Sequence, residues 1–137
     1  MSTMNTTLAK PSISNIWRNG LIAAVVAAVG NAILYLIGSA TGNMPAIMTP
    51  MGQPLTLQPV LLMSIVPLLL ATLAYTVLTR IIPARANLIL IIAAVLVFIG
   101  FLFGPLQLPG APTGMIILLE LMHVVATGSI LYFLIRS

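Results

Sequence analysis

The chain has 137 residues, of which 61% are hydrophobic and only 4% are charged. A soluble domain usually carries about 25% charged residues, so this composition argues against a folded surface in contact with water. There are five cationic residues and one acidic residue, with no basic run of the kind that binds nucleic acid. There is no cysteine, which excludes disulfides, thiolate metal sites and cysteine nucleophiles. The composition predicts a single integral membrane domain whose partner is the lipid bilayer and not nucleic acid.

The N-terminal 15 residues are rich in Ser, Thr and Asn, which predicts a flexible cytoplasmic tail over 1–15 and a membrane domain over 16–137. The first apolar stretch, at about 21–39, is long enough to cross a bilayer as a helix. A cleaved signal peptide is an alternative interpretation, because small residues at 38–40 resemble a cleavage site. The apolar stretch is longer than the usual signal core of about 7–15 residues, which favours a retained span.

Three further apolar stretches follow the first and have the length of membrane-spanning helices. The segments between them are rich in Gly and Pro or short and basic, as turns are. The stretches do not alternate in polarity, which argues against membrane strands. We therefore predict an all-α, transmembrane four-helix bundle. Its spans lie at about 21–39, 59–79, 88–106 and 113–135.

The cations give the orientation of the predicted bundle. With four spans, all five fall on one side of the membrane, and the positive-inside rule makes that side cytoplasmic. Both termini are therefore expected in the cytoplasm, in a multi-pass protein of the cell (inner) membrane. The cations are Lys10, Arg18, Arg80, Arg85 and Arg136.

Polar residues inside the predicted spans are the candidate functional residues, and their depths are estimated from the helical rise. Glu120, His123, Asn31 and Ser64 lie roughly 9–15 Å below the outer ends of their helices, in one slab of the membrane. Polar groups that face lipid are costly, so these helix faces should meet and form an intramembrane polar cluster. The third span has no strongly polar residue and can take the most lipid-exposed place. The predicted cluster comprises Glu120, His123, Asn31, Ser64, Tyr35 and Thr127.

The ordinary role of Asn31 and Ser64 is hydrogen bonding between helices, and Pro67 in the second span predicts a helix kink. Glu120 is different, because an acid buried in a membrane is a functional candidate by default. No Lys or Arg lies near its depth, so we expect Glu120 and His123 to form a neutral pair, since ionising both carries a large desolvation penalty.

No catalytic motif is present, and one histidine with one acid is too few for a zinc hydrolase site. We expect no enzymatic activity, no catalytic residue, no metal and no cofactor. Haem ligation by His123 with Met122 or Met63 stays formally open. The first outer loop also carries three thioethers of the kind that suit Cu(I), although methionines dipping into the membrane interface are the more ordinary interpretation. These are Met44, Met48 and Met51.

The assembled pattern resembles a bacterial family of small four-helix membrane proteins of unknown function, over roughly residues 15–136. The resemblance rests on the segments 30–35, 64–67 and 121–126 and on Arg80, which closes the second span. It implies the four-span topology and the placing of Asn31, Pro67 and His123, and it implies no activity.

Two functions from different classes fit these observations. The first is a non-enzymatic accessory or scaffold bundle that associates with itself or with another membrane protein. The alternative is a small proton-coupled transporter in which Glu120 and His123 titrate. A hydrated cavity that reaches Glu120 would favour transport, and a dry packed core would favour the scaffold.

Overall fold

The computed structural model describes residues 9–137, and within this range it contains four α-helices and one short 3-10 helix at Pro83–Arg85. The four helices are α1 (Ile13–Ala40), α2 (Leu57–Ile81), α3 (Ala86–Leu106) and α4 (Thr113–Ile135). Each is long and apolar enough to cross a membrane. The predicted all-α class with four helices is therefore confirmed.

The helix bounds agree with the predicted spans to within two residues for α2, α3 and α4. By contrast, α1 begins at Ile13, well before the predicted start near residue 21. Ser12 caps this helix, because its Oγ accepts a hydrogen bond from the backbone N–H of Asn15 at 3.1 Å. Residues 13–15 of the predicted tail thus belong to α1, while residues 1–8 of that tail lie outside the described residues.

Helix α1 occupies the centre of the bundle and packs extensively against both α2 and α4. Its buried face is built from small side chains, which allow the helix backbones to approach closely. At Gly20 even a Cβ atom would collide with the side chain of Thr72 in α2. The small buried residues of α1 are Gly20, Ala23, Ala24, Ala27, Ala28 and Gly38.

Helix α2 buries a stripe of polar side chains at helical spacing, which comprises Ser64, Thr72, Tyr75 and Thr79. The hydroxyl groups of Ser64 and Thr72 donate to backbone carbonyls one turn earlier in the same helix, at 2.7 and 2.8 Å. These bonds satisfy the hydroxyl groups without water. The stripe can therefore pack in an apolar interior.

Helix α3 packs mainly against α4 and makes few contacts with α2. It is the least buried of the four helices, and its buried residues are Ala86, Leu90 and Pro105. The prediction that the third span is the most exposed is confirmed in this respect. Going round the bundle, the order is α2, α1, α4 and α3, with a loose seam between α3 and α2.

The segment between α1 and α2 contains a small loop hairpin over residues 47–55. The backbone N–H of Leu55 donates to the carbonyl of Ile47 at 2.9 Å, and that of Thr49 donates to Gln53 at 2.8 Å. Gly52 takes a φ of +75° at the tip, a conformation that favours glycine. This loop hairpin lies at the same end of the bundle as the N-terminus of α2.

Candidate functional site: a cleft between α2, α3 and α4

Asn31 of α1 and Ser64 of α2 meet as the shared depth of these residues predicted. The side-chain amide of Asn31 donates to Ser64 Oγ at 2.8 Å, and both residues are buried. Ser64 Oγ in turn donates to the carbonyl of Val60. Within the described part of the chain, Asn31 Oδ1 is left without a hydrogen-bond partner. The pair therefore ties two helices together but leaves one buried acceptor free.

Glu120 and His123 lie one turn apart on α4 and face each other. Glu120 Oε2 and His123 Nδ1 are 4.0 Å apart, and both atoms are enclosed without a hydrogen-bond partner among residues 9–137. A small side-chain rotation would bring them within hydrogen-bond distance. The imidazole also stacks on Phe101 of α3, with ring centroids 5.5 Å apart. Phe101 thus packs against the face of the ring, and Glu120 lies near its Nδ1 atom.

The loose seam between α2 and α3 opens into a cleft of about 790 Å³. Asn31 and Ser64 lie on its α1–α2 side, His123 lines it from α4, and Gly104 and Pro105 line it from α3. Residues 49–51 and 53–55 of the loop hairpin line it near the N-terminus of α2. None of its described lining residues is Lys, Arg, Asp or Glu. The cleft is thus an uncharged, mainly apolar site with a few hydrogen-bonding groups.

The predicted polar cluster is only partly assembled at this cleft. Asn31, Ser64 and His123 line it, whereas Glu120 is absent from the lining and lies behind His123. Tyr35 is absent from the lining and packs against the apolar group that contains Met44 and Met115. Thr127 lines a shallow groove on another face of α4, together with Phe98 of α3.

Comparison with known protein families agrees with the sequence resemblance in that the matching family has no known function. Residues 11–137 match a family described as "Family of unknown function (DUF6069)". The chain belongs to this family. No curated protein and no solved structure matches the DUF6069 chain. A bacterial origin stays a prediction.

Sequence reasoning missed the α3 side of the cleft in this DUF6069 protein. Gly104 faces open space, since a Cβ added there would meet no atom within 4 Å, and Pro105 follows it near the end of α3. A Gly-Pro pair ending an apolar span was the available signal, but it reads first as a turn. The stacking of Phe101 on His123 had no sequence signal at all.

The remaining predicted features can also be placed in the DUF6069 fold. Pro67 lies within α2, which continues without a break through it, and the predicted kink stays a prediction. Met44 is buried in the core, whereas Met48 and Met51 are exposed, so the loop thioethers do not share one environment. His123 and Met63 both line the cleft, and nothing in the structure tests the haem alternative. Among residues 9–137 there is no group of three His, Asp or Glu side chains that could hold a metal.

Proposed function

We propose that this DUF6069 protein is a non-enzymatic accessory protein of the cell membrane that holds a membrane-resident component in the cleft between α2 and α3. The observation that carries this proposal is the open seam. Helices in a membrane associate through close packing and interhelical hydrogen bonds. Here α1 seals tightly against two neighbours, while α2 and α3 stay apart around a cleft of about 790 Å³.

The proposed topology has four spans with both termini in the cytoplasm. It is supported by contacts that bring the cationic ends together: Arg80 at the end of α2 donates to the carbonyl of Pro11 at 2.8 Å. Asn19, near the start of α1, donates to the backbone carbonyl of Phe133 and to Ser137 Oγ. Reporter fusions after residues 42 and 110 should be external, and fusions after residues 85 and 137 internal. An internal signal at residue 110 would contradict the topology.

Site-specific photocrosslinking in native membranes tests the binding role. A photoreactive amino acid at Met63 lies in the cleft, and one at Leu96 lies on α3 outside it; both side chains are 64% exposed. We expect Met63 to capture one discrete molecule that Leu96 does not capture. Identical adducts from both positions, reflecting bulk lipid, would contradict a specific occupant of the cleft.

A second candidate function, proton-coupled transport, is favoured by the pair of unpartnered atoms on Glu120 and His123. His123 lines the cleft and contacts the only acid of the chain. In this alternative, Glu120→Gln abolishes proton flux into proteoliposomes, because Gln keeps the side-chain size but does not titrate. Equal flux in the wild-type protein, in Glu120→Gln and in protein-free vesicles would contradict it.

A further inference from the structure

The length of the cleft decides between a partner helix and a small molecule as its occupant. Along α2 the lining residues run from the N-cap Thr56 to Ser64, which is about 12 Å of helix. A helix that crosses the membrane runs along about 30 Å of hydrocarbon. Nearer the other end of the seam, the hydroxyl of Tyr75 in α2 donates to Asn87 Oδ1 in α3 and ties the two helices together. The open part is thus too short for a spanning helix and suits a small molecule or a lipid head.

The volume of the cleft and the charge of its lining further restrict the class of molecule that could occupy it. About 790 Å³ lies within the range of roughly 300–1,000 Å³ that is typical of small-ligand sites. The described lining offers no cation to a phosphate or carboxylate, and no acid to an amine. The nearest cation along α2 is Arg80, 16 residues beyond Ser64 and thus about 24 Å away along the helix axis. An anionic lipid head would have to lose its hydration here without an opposite charge, which is costly.

The hydrogen-bonding groups of the cleft indicate which polar group the occupant carries. Asn31 is only 3% exposed, and its Oδ1 accepts no hydrogen bond from any described residue. A buried amide oxygen without a hydrogen-bond partner is energetically unfavourable, so a ligand that donates a hydrogen bond to it would remove this cost. His123 is partly exposed in the cleft, and with Nδ1 directed at Glu120 its Nε2 is the nitrogen left for a ligand. In a neutral imidazole Nε2 either donates or accepts. A hydroxyl group satisfies both sites, because it donates one hydrogen bond and accepts others.

We propose that the cleft binds an uncharged amphiphile whose head carries a hydroxyl group, hydrogen-bonded to Asn31 and His123, with its apolar part leaving between α2 and α3 into the bilayer. This inference rests on the proposed function and specifies its occupant. The apolar side chains of Met63 and Met122 line the cleft and would contact the apolar part. The loop hairpin would cover the head from the aqueous side.

Photolabelling of the full chain in lipid nanodiscs tests the proposal with three matched probes. The first is a diacylglycerol with a diazirine on one acyl chain, the second is the same molecule with its hydroxyl methylated, and the third is the corresponding phosphatidylglycerol. The readout is labelling of cleft peptides relative to the outward face of α3 around Leu96. We expect the alcohol to label the cleft roughly fivefold more than the methyl ether, the effect of one net hydrogen bond. The anionic probe should label the cleft least.

Two variants examine the hydrogen bonds. Asn31→Leu removes the acceptor at similar size, and Ser64 keeps its own bond to the carbonyl of Val60. His123→Phe removes both ring nitrogens and keeps an aromatic ring against Phe101. Each should reduce the preference for the alcohol over the ether. Asn19→Leu is the matched control, because this Asn lies on the same helix but bonds at the opposite end of the bundle.

A third variant is designed to fill the cleft with a large side chain. Gly104 lines the cleft, and a Cβ added there would meet no atom within 4 Å, so Gly104→Phe should fill part of the cleft and lower labelling by both neutral probes. Gly100→Phe is its control, because Gly100 lies one turn away on α3 and outside the lining, and a Cβ added there also meets no atom within 4 Å. Circular dichroism and a single elution peak for each variant establish that the bundle is intact.

The outcomes separate this proposal from the proposed function. Equal labelling by alcohol and ether, lowered for both by Gly104→Phe, would overturn hydroxyl recognition and leave the proposed function standing. Preferential labelling by phosphatidylglycerol would overturn the uncharged head. Absence of cleft labelling by all three probes would overturn the amphiphile, and a discrete protein adduct at Met63 would then identify a protein as the occupant.

Discussion

The two sides of α2 differ in how they meet their neighbours. Toward α1 the helix packs so closely that Gly20 touches Thr72, and Asn31 donates to Ser64. Toward α3 it makes few contacts, and Tyr75 with Asn87 supplies a side-chain hydrogen bond near one end of the seam. Both seams belong to the same apolar helix, so hydrophobicity does not explain the difference.

Side-chain size explains much of the contrast between the seams. The buried face of α1 is mostly Gly and Ala, which let two backbones approach, whereas α3 is rich in Leu, Ile, Val and Phe. In a bilayer the lipid covers apolar side chains as well as another helix does, so large residues bring little gain from closing a seam. We therefore expect the tight seam to contribute more to the stability of the bundle than the loose seam does.

The largest expected effect comes from breaking the tight seam with Gly20→Leu. A Cβ at this position already collides with Thr72, and a whole leucine side chain forces α1 and α2 apart. We expect the free energy of unfolding in detergent to fall by about 3 kcal/mol, the upper end of overpacking penalties. Gly128→Leu on α4 is the control, since nothing lies within 4 Å of its added Cβ. Equal losses in both variants would show that the seam is not specially tight.

The next largest effect is expected from removing the hydrogen bond between Tyr75 and Asn87, which connects α2 and α3 across the loose seam. Tyr75→Phe removes the hydrogen bond to Asn87 while keeping the ring, which is buried in the apolar core. The loss should be about 1 kcal/mol of unfolding free energy, the value of one net hydrogen bond. Spin labels on α2 and α3 should also report a wider separation of the two helices. An unchanged distance distribution would mean that other contacts set the width of the seam.

The Asn31–Ser64 bond is expected to contribute less, although it lies in the tight seam. Interhelical hydrogen bonds in membrane proteins average about 0.6 kcal/mol in double-mutant cycles. A cycle with Asn31→Leu and Ser64→Ala should therefore give a coupling energy near this value. A coupling near zero would show that the small residues alone hold α1 against α2.

The helices of this fold could be predicted from the sequence because each apolar stretch has about the length that a helix needs to cross the hydrocarbon layer of a bilayer. The start of α1 was missed because Trp17, Arg18 and Asn19 are not apolar, although Ser12 caps the helix before them. Hydropathy indicates only which residues could lie in the hydrocarbon layer. A helix can begin before that layer, so hydropathy does not give the start of the helix.

The candidate site could be predicted only in part. Depth along the helices correctly paired Asn31 with Ser64, because a polar side chain in an apolar layer needs a partner. Depth along a helix does not tell which way a side chain points around the helix axis, so it did not show that Tyr35 and Thr127 would be absent from the lining of the cleft. The cleft itself depends on which helices fail to touch. That is a property of the whole packing arrangement and of no single residue.

The smallest expected effect is that of Glu120→Gln, which changes the neighbour of His123, a residue that lines the cleft of the loose seam. Glu120 faces His123 at 4.0 Å, and no described lysine or arginine forms an ion pair with it. If both side chains are neutral, Gln replaces the acid at the same size with similar hydrogen bonding, and the unfolding free energy should change by less than about 0.5 kcal/mol. If the pair is ionised, removing one charge leaves the other buried and costs about 3–5 kcal/mol. Infrared difference spectra give an independent readout: a protonated-carboxyl band at neutral pH that disappears in Glu120→Gln supports the neutral pair. A carboxylate band that disappears instead would indicate a hydrated, ionised site and would favour the transport alternative.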